Sequence, residues 1–347
     1  MDLLIKALGF AILCVSISGC QMGYYFSSAY NQMSLLNQRV PIEKALQDPT
    51  LSEKEKKALQ LAQRARQFAE GELHLKSTKN YTSYVKLDRP YVTYVVSASP
   101  KWELSHYDWH YLFVGKMPYK GFFNEDDAKE EAEELKKKDL DVYVRGVSAY
   151  STLGWFNDPL LSSMVKYEDH ELVNTVIHET VHATLYIKGS ADFNERLAVF
   201  LGNKGMELFY LKEEGPSSPS LKLALLENED EKLFSKFISR EITDLEEWYK
   251  NQNEKNEEIR KARLKEIQAR FTKEIEPHLK SDNYQKFSSM DLNNARLLLY
   301  KTYLQDLSDF EKLYEMSDRK FDTFLQKCRS LENSKNPEED LKKLISN

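Results

Sequence analysis

The chain has 347 residues, with 49 Lys and Arg against 55 Asp and Glu, and a formal charge of −6. Hydrophobic residues at 41% and aromatics at 12% exclude a disordered chain, and an isoelectric point near 5.8 argues against a nucleic-acid partner. A mean hydropathy of −0.60 excludes a polytopic membrane protein, and 12 Gly with 10 Pro exclude a collagen-like or linker-dominated one.

Met1 to Lys6 is short, carries one cation and leads into an apolar run, Ala7 to Ile17. That run is too short to cross a hydrocarbon core of about 30 Å but suits the core of a secretory signal. It ends in Ile17-Ser18-Gly19-Cys20, which resembles the bacterial lipobox. The resemblance implies removal of residues 1–19, acylation of Cys20 and a membrane anchor, each buried CH₂ adding about 0.8 kcal/mol of membrane affinity. Gln21 after the cysteine, rather than Asp, implies an outer-membrane lipoprotein facing the periplasm. The plainer alternative is an ordinary signal with an incidental cysteine, and Asp2, odd at the charged end, speaks for it. With Cys14 removed and Cys20 acylated, Cys328 is left alone and the mature chain forms no internal disulfide.

Gly23 to Val40 is polar and aromatic and reads as a tether passing into a first helix. Pro49-Thr50 and Ser52 open a helix over Glu53 to Gly71, with Ala58, Leu59, Leu61, Ala62 and Ala65 at helical spacing. After Thr78 the texture changes: Tyr91 to Val96, Trp109 to Val114 and Asp141 to Val147 are β-branched and aromatic, as strands are. Between the last two, Asn124 to Lys138 reads as a charged helix with Ala128, Ala132 and Leu135 on one face. From Asp158 onward the pattern is helical almost throughout. Glu227 to Glu276 is densely charged, which predicts long solvated or hairpin helices. Leu292, Leu299, Tyr303, Leu307, Phe310 and Leu313 then form an apolar stripe within Asp291 to Leu331. There is no internal repeat. The expected fold is α+β, a small N-terminal sheet region packed on a predominantly helical body. A single domain over 20–347 is expected: tether and first helix to 50, helix plus small sheet over 51–157, and the helical body over 158–347.

The sharpest chemical feature is His178-Glu179-Thr180-Val181-His182. Four residues of helix turn by about 400°, so both imidazoles share one face, one turn apart. That arrangement suits one tetrahedral Zn²⁺, with nitrogens at about 2.0–2.1 Å. Glu179 can reach a water at such an ion and act as general base. Leu172, Val173, Val176, Ile177, Val181 and Leu185 are apolar, and a charge held among them needs a reason. The bland alternative is a helix with two satisfied histidines and a surface glutamate.

A catalytic zinc needs a third protein ligand and an open position. Glu195, on the following helix, shares its face with Ala198, Val199 and Gly202, small enough for close approach to the zinc helix. It could instead close a helix capping box with Asp192. Asp192 and His170 are reserve ligands. His106 and His110 also stand four apart, but beside Trp109 and Tyr111 they suggest a strand, and His74 and His278 stand alone.

The chain resembles the bacterial family of predicted zinc aminopeptidase lipoproteins. The matching blocks are Cys20 with Gly23-Tyr24-Tyr25, Asp88 to Val92, Gly115 with Pro118 to Phe123, Ala149 to Leu160, the zinc motif, Phe193-Asn194-Glu195 and Asn293 to Leu297. The resemblance implies a gluzincin-like metallopeptidase on a zincin-like body, with His178, His182 and Glu195 on zinc and Glu179 as base. An aminopeptidase acting on peptide substrates follows from it alone; the residues leave an endopeptidase open, as well as a non-catalytic envelope scaffold with a structural zinc. Tyr143 to Ser151 is a candidate sheet edge for pairing with an extended peptide. Tyr150 is a candidate donor to the developing oxyanion, or a packing residue. Asn294 and Arg296 could hold a substrate carboxylate, though tying helices together suits them better.

Overall fold

The computed structural model describes residues 22–111, 115–150, 152, 156–303 and 307–346. The expected signal peptide, Cys20 and Gln21 lie outside the described residues, as do 112–114 of the second predicted strand and 151 and 153–155 of the block before the His178–His182 motif.

Residues 22–37 are helical (α1), so the expected tether is itself a helix. A short strand, β1 (Val40–Pro41), and a single turn, α2 (Ile42–Ala45), lead to α3 (Glu53–Gly71). Ser52 opens α3 with a reciprocal box: its Oγ accepts from the Glu55 N–H, and the Glu55 carboxylate accepts from the Ser52 N–H. The predicted apolar positions of α3 are buried. Five strands follow before the next crossover: β2 (Ser83–Val85), β3 (Thr93–Pro100), β4 (Trp109–Tyr111), β5 (Gly115–Met117) and β6 (Tyr119–Phe122). Then come α4 (Glu125–Lys137), capped by the Asn124 side chain, β7 (Leu140–Val147) and β8 (Leu160–Leu161).

The β-structure is three small sheets rather than one. The antiparallel sheet β6-β3-β7 has β3 at its centre and α4 against it, burying Val96, Ala98, Phe122, Ala128, Ala132 and Leu135. β1 and β8 flank β2, and β4 pairs with β5. β7 is therefore an edge strand. The Val147 carbonyl faces the β3 side, where it accepts from the Val92 N–H. Val142, of opposite parity, turns its carbonyl outward to accept from Asn293 Nδ2 at 3.1 Å. By the two-residue alternation of an antiparallel ladder, Val144 and Gly146 also turn their N–H and C=O groups away from β3.

The remainder is helical: α5 (Asp169–Thr184), α6 (Ala191–Glu213), α7 (Pro219–Lys250), α8 (Glu257–Glu274), α9 (Asn294–Tyr303), α10 (Ser308–Glu315), α11 (Phe321–Arg329) and α12 (Pro337–Leu344). The fold is thus α+β and predominantly helical, with α3, α5 and α6 sharing the largest core. The charged stretch forms the hairpin α7–α8, but it is not merely solvated. Between its charges, Phe234, Phe237, Ile238, Leu245, Ile267 and Phe271 bury a second core, closed by Phe287, Leu297 and Leu298. The late apolar stripe divides: Leu292 enters this second core, while Phe310 and Leu313 enter the first.

Candidate metal centre

α5 starts with a box between Glu168 and Glu171 and runs through the first core, with Leu172, Val173, Val176, Ile177 and Val181 essentially inaccessible. Its hydroxyls are satisfied locally, Thr180 donating to the Val176 carbonyl and Thr184 to that of Thr180. Toward α6, this helix presents the side chains of Asn174, His178 and His182.

The link to α6, residues 185–190, is short and fixed at both ends. Asn194, fully buried, accepts from the Ile187 N–H and donates to the Ile187 carbonyl, each at 2.8 Å. Gly189 supplies the positive φ of +83° that this turn needs. α6 begins at Ala191 with Ser190 as its N-cap, so Asp192 lies inside the first turn and the Asp192–Glu195 box is not formed. Further along, a Cβ on Gly202 would sit 2.9 Å from Asn174 Oδ1 and 3.3 Å from His178 Cβ. One turn on, a Cβ on Gly205 would meet Ile177 at 2.9 Å. Hydrogen at these two positions lets α6 lie directly on the histidine face of α5.

The consequence is a three-donor cluster. His178 Nε2 and His182 Nε2 are 3.1 Å apart, and the two Glu195 carboxylate oxygens lie 3.6 Å from the first and 3.4 Å from the second. Ligands at 2.0–2.1 Å from one tetrahedral zinc are separated by about 3.3 Å, so the donor set fits such an ion. Among the described residues these three form the group of His, Cys, Asp or Glu able to hold a metal, with all donor atoms within 4.8 Å of one another. Burial acts against the Glu195 charge, yet hydrogen bonds from the two imidazoles hold its carboxyl down at about 2. Burial likewise opposes a charged His182, but Glu195 and then Glu179 raise its pKa overall. Two buried atoms, Glu179 Oε2 and His182 Nδ1, have no hydrogen-bond partner among the described protein groups. A buried carboxylate oxygen facing no donor is a further mark of a site that awaits a cation or water.

Other side chains surround this group. Tyr81, buried and held at φ 58°, and Tyr167 both feel the Glu179 charge; burial pushes both hydroxyls up, so they stay neutral donors. Tyr186, 40% exposed, places its ring 6.4 Å from that of His182. None of the three is marked in the sequence among 20 Tyr.

The remaining candidates lie elsewhere. His170 is buried against Glu227 of α7 at 2.7 Å, and Asp192 is exposed. Tyr150 is not in the cluster: its hydroxyl donates to Gln32 of α1 and its ring meets Phe123. Asn294 accepts from the Tyr249 hydroxyl and donates to the carbonyls of Pro100 and Lys101, while the Arg296 guanidinium stacks 4.2 Å from the Tyr143 ring centre. Both tie α9 to the sheet. His74 contacts Asp322 at the surface; His106 and His110 join no metal group among the described residues.

No curated protein and no solved structure matches the chain. One family model does, over residues 23–344, and its description is "Putative aminopeptidase". The match spans nearly the whole sequence, and the chain belongs to that family.

Proposed function

We propose that the protein is a zinc-dependent peptidase, an aminopeptidase by its family, in which His178, His182 and Glu195 hold one zinc ion and Glu179 is the general base. The observation that carries this reading is the convergence of three donor atoms from α5 and α6 beside a buried, unpartnered glutamate oxygen. A zinc ion bound there would supply Lewis acidity, polarising the scissile carbonyl and bringing the pKa of water toward neutrality.

Glu179 Oε2 takes a proton from the attacking water and returns it to the leaving amine as the C–N bond breaks. Its surroundings suit that shuttle, since α5 excludes bulk water on its core side and, among the described residues, no cation holds Oε2. Val144 and Gly146 of the β7 edge can pair with an extended peptide backbone. Tyr150 can serve as an oxyanion donor only after releasing Gln32. Cys20, acylated, would anchor the chain to the envelope, the outer membrane facing the periplasm.

The test is metal content and hydrolysis of the wild type beside Glu179→Gln, with aminoacyl and N-terminally blocked peptides. The variant is expected to keep one zinc per chain and to lose turnover by about 10²–10⁴-fold. Equal turnover would remove Glu179 from the reaction, and faster cleavage of blocked peptides would make the enzyme an endopeptidase. Zinc without hydrolysis of any peptide in the wild type would favour an envelope scaffold.

A further inference from the structure

We propose that the outer face of α1 lies in the headgroup zone of a lipid bilayer. This rests on the lipid-anchor reading of Cys20 and goes beyond it, because it assigns a membrane-contacting surface to the folded protein.

In a chain with 30% charged residues, positions 22–37 contain no Asp, Glu, Lys or Arg. Met22, Phe26, Tyr30 and Met33 follow one another at intervals of four, four and three, which places them on one helical stripe. They are exposed by 42, 69, 74 and 48%. The stripe cannot simply roll inward. On the far side the Tyr24 hydroxyl donates to the Gly121 carbonyl at 2.9 Å, Gln32 accepts from Tyr150, and Leu35 is buried.

Two chain steps separate Cys20 from Met22, at most about 7 Å when extended. Interfacial helices sink about 5–10 Å into the headgroup and acyl boundary, so an acyl chain on Cys20 delivers the first turn of α1 into that zone. Phe and Tyr beside thioethers suit the interface, where aromatic rings are favoured. A neutral face also spares a net-negative chain repulsion from anionic headgroups. No described helix is long and apolar enough to cross a membrane, so α1 would lie on the bilayer.

The test uses the full processed chain carrying Tyr30→Cys. Cys20 is then blocked by lipid and Cys328 is buried, so residue 30 takes an environment-sensitive fluorophore. On vesicles of phosphatidylethanolamine and phosphatidylglycerol, we expect a blue shift and quenching by lipids spin-labelled just below the headgroup. Adding Phe26→Glu and Met33→Glu should abolish the quenching while the chain still floats with the vesicles and turns over as before. Floating chains whose label stays in water overturn the α1 proposal and leave the anchor intact. A chain that also takes label at Cys20 and does not float fails the anchor reading. The quenching at residue 30 on adding vesicles, corrected against labelled chain without Tyr30→Cys, then upholds or overturns the α1 proposal by itself. A blue shift that grows with protein concentration without lipid overturns it in favour of a second copy on this face.

Discussion

The antiparallel pairs α5–α6 and α7–α8 both hold carboxylates against a partner helix, and they answer that charge in opposite ways. In α7–α8, Glu241 is 1% exposed and accepts from Arg270 Nη2 at 2.6 Å and from Arg240 Nη2 at 3.1 Å. Its charge is balanced by permanent cations, beside the aromatic and aliphatic core around Phe234. In α5–α6, Glu195 faces two imidazoles and Glu179 leaves an oxygen without a partner. A carboxylate matched by guanidinium belongs to the architecture; one matched only by imidazoles leaves room for a metal ion.

That contrast can be broken by separating stability from metal binding. The largest effect on stability is expected at Phe234, which stacks on Tyr284 at 4.1 Å and meets Phe287 edge-on at 5.1 Å. Phe234→Ala should cost about 3–5 kcal/mol in denaturant unfolding, while the folded fraction binds zinc as the wild type does. A parallel loss of zinc affinity would mean that the two helix pairs act as one. Gly202→Ala should do the reverse. Its methyl group pushes α6 off Asn174 and His178, costing about 1–3 kcal/mol and weakening zinc more than the fold. At the small end, Glu258→Gln removes an exposed partner of Lys261 on α8 and should leave both readouts unchanged.

How much of this was legible in the sequence depends on how local the signal is. The four-residue interval between His178 and His182, set in an apolar run, defines a face without any tertiary information. Glu195 could be placed on that face because Ala198 and Gly202 share its side of α6, and Gly202 does lie against His178. The strands β1, β2 and β8 were not legible: they are two or three residues long and pair across wide sequence separations. The second core escaped because Phe234, Ile238 and Leu245 are diluted by the charges between them. α1 was legible only as a first helix following a tether, since a stretch without charged residues gives no charged face to mark where the helix begins. Tyr81 and Tyr167 reach the neighbourhood of Glu179 only through the folded chain.

The most direct measurement is zinc X-ray absorption on the loaded wild type, His182→Ala and Glu195→Ala. The wild type should show two imidazole nitrogens and a carboxylate oxygen at about 2.0–2.2 Å, plus an exchangeable light atom, with one protein ligand lost in each variant. A fourth protein ligand in the wild type, or a zinc shell that neither substitution alters, would contradict it.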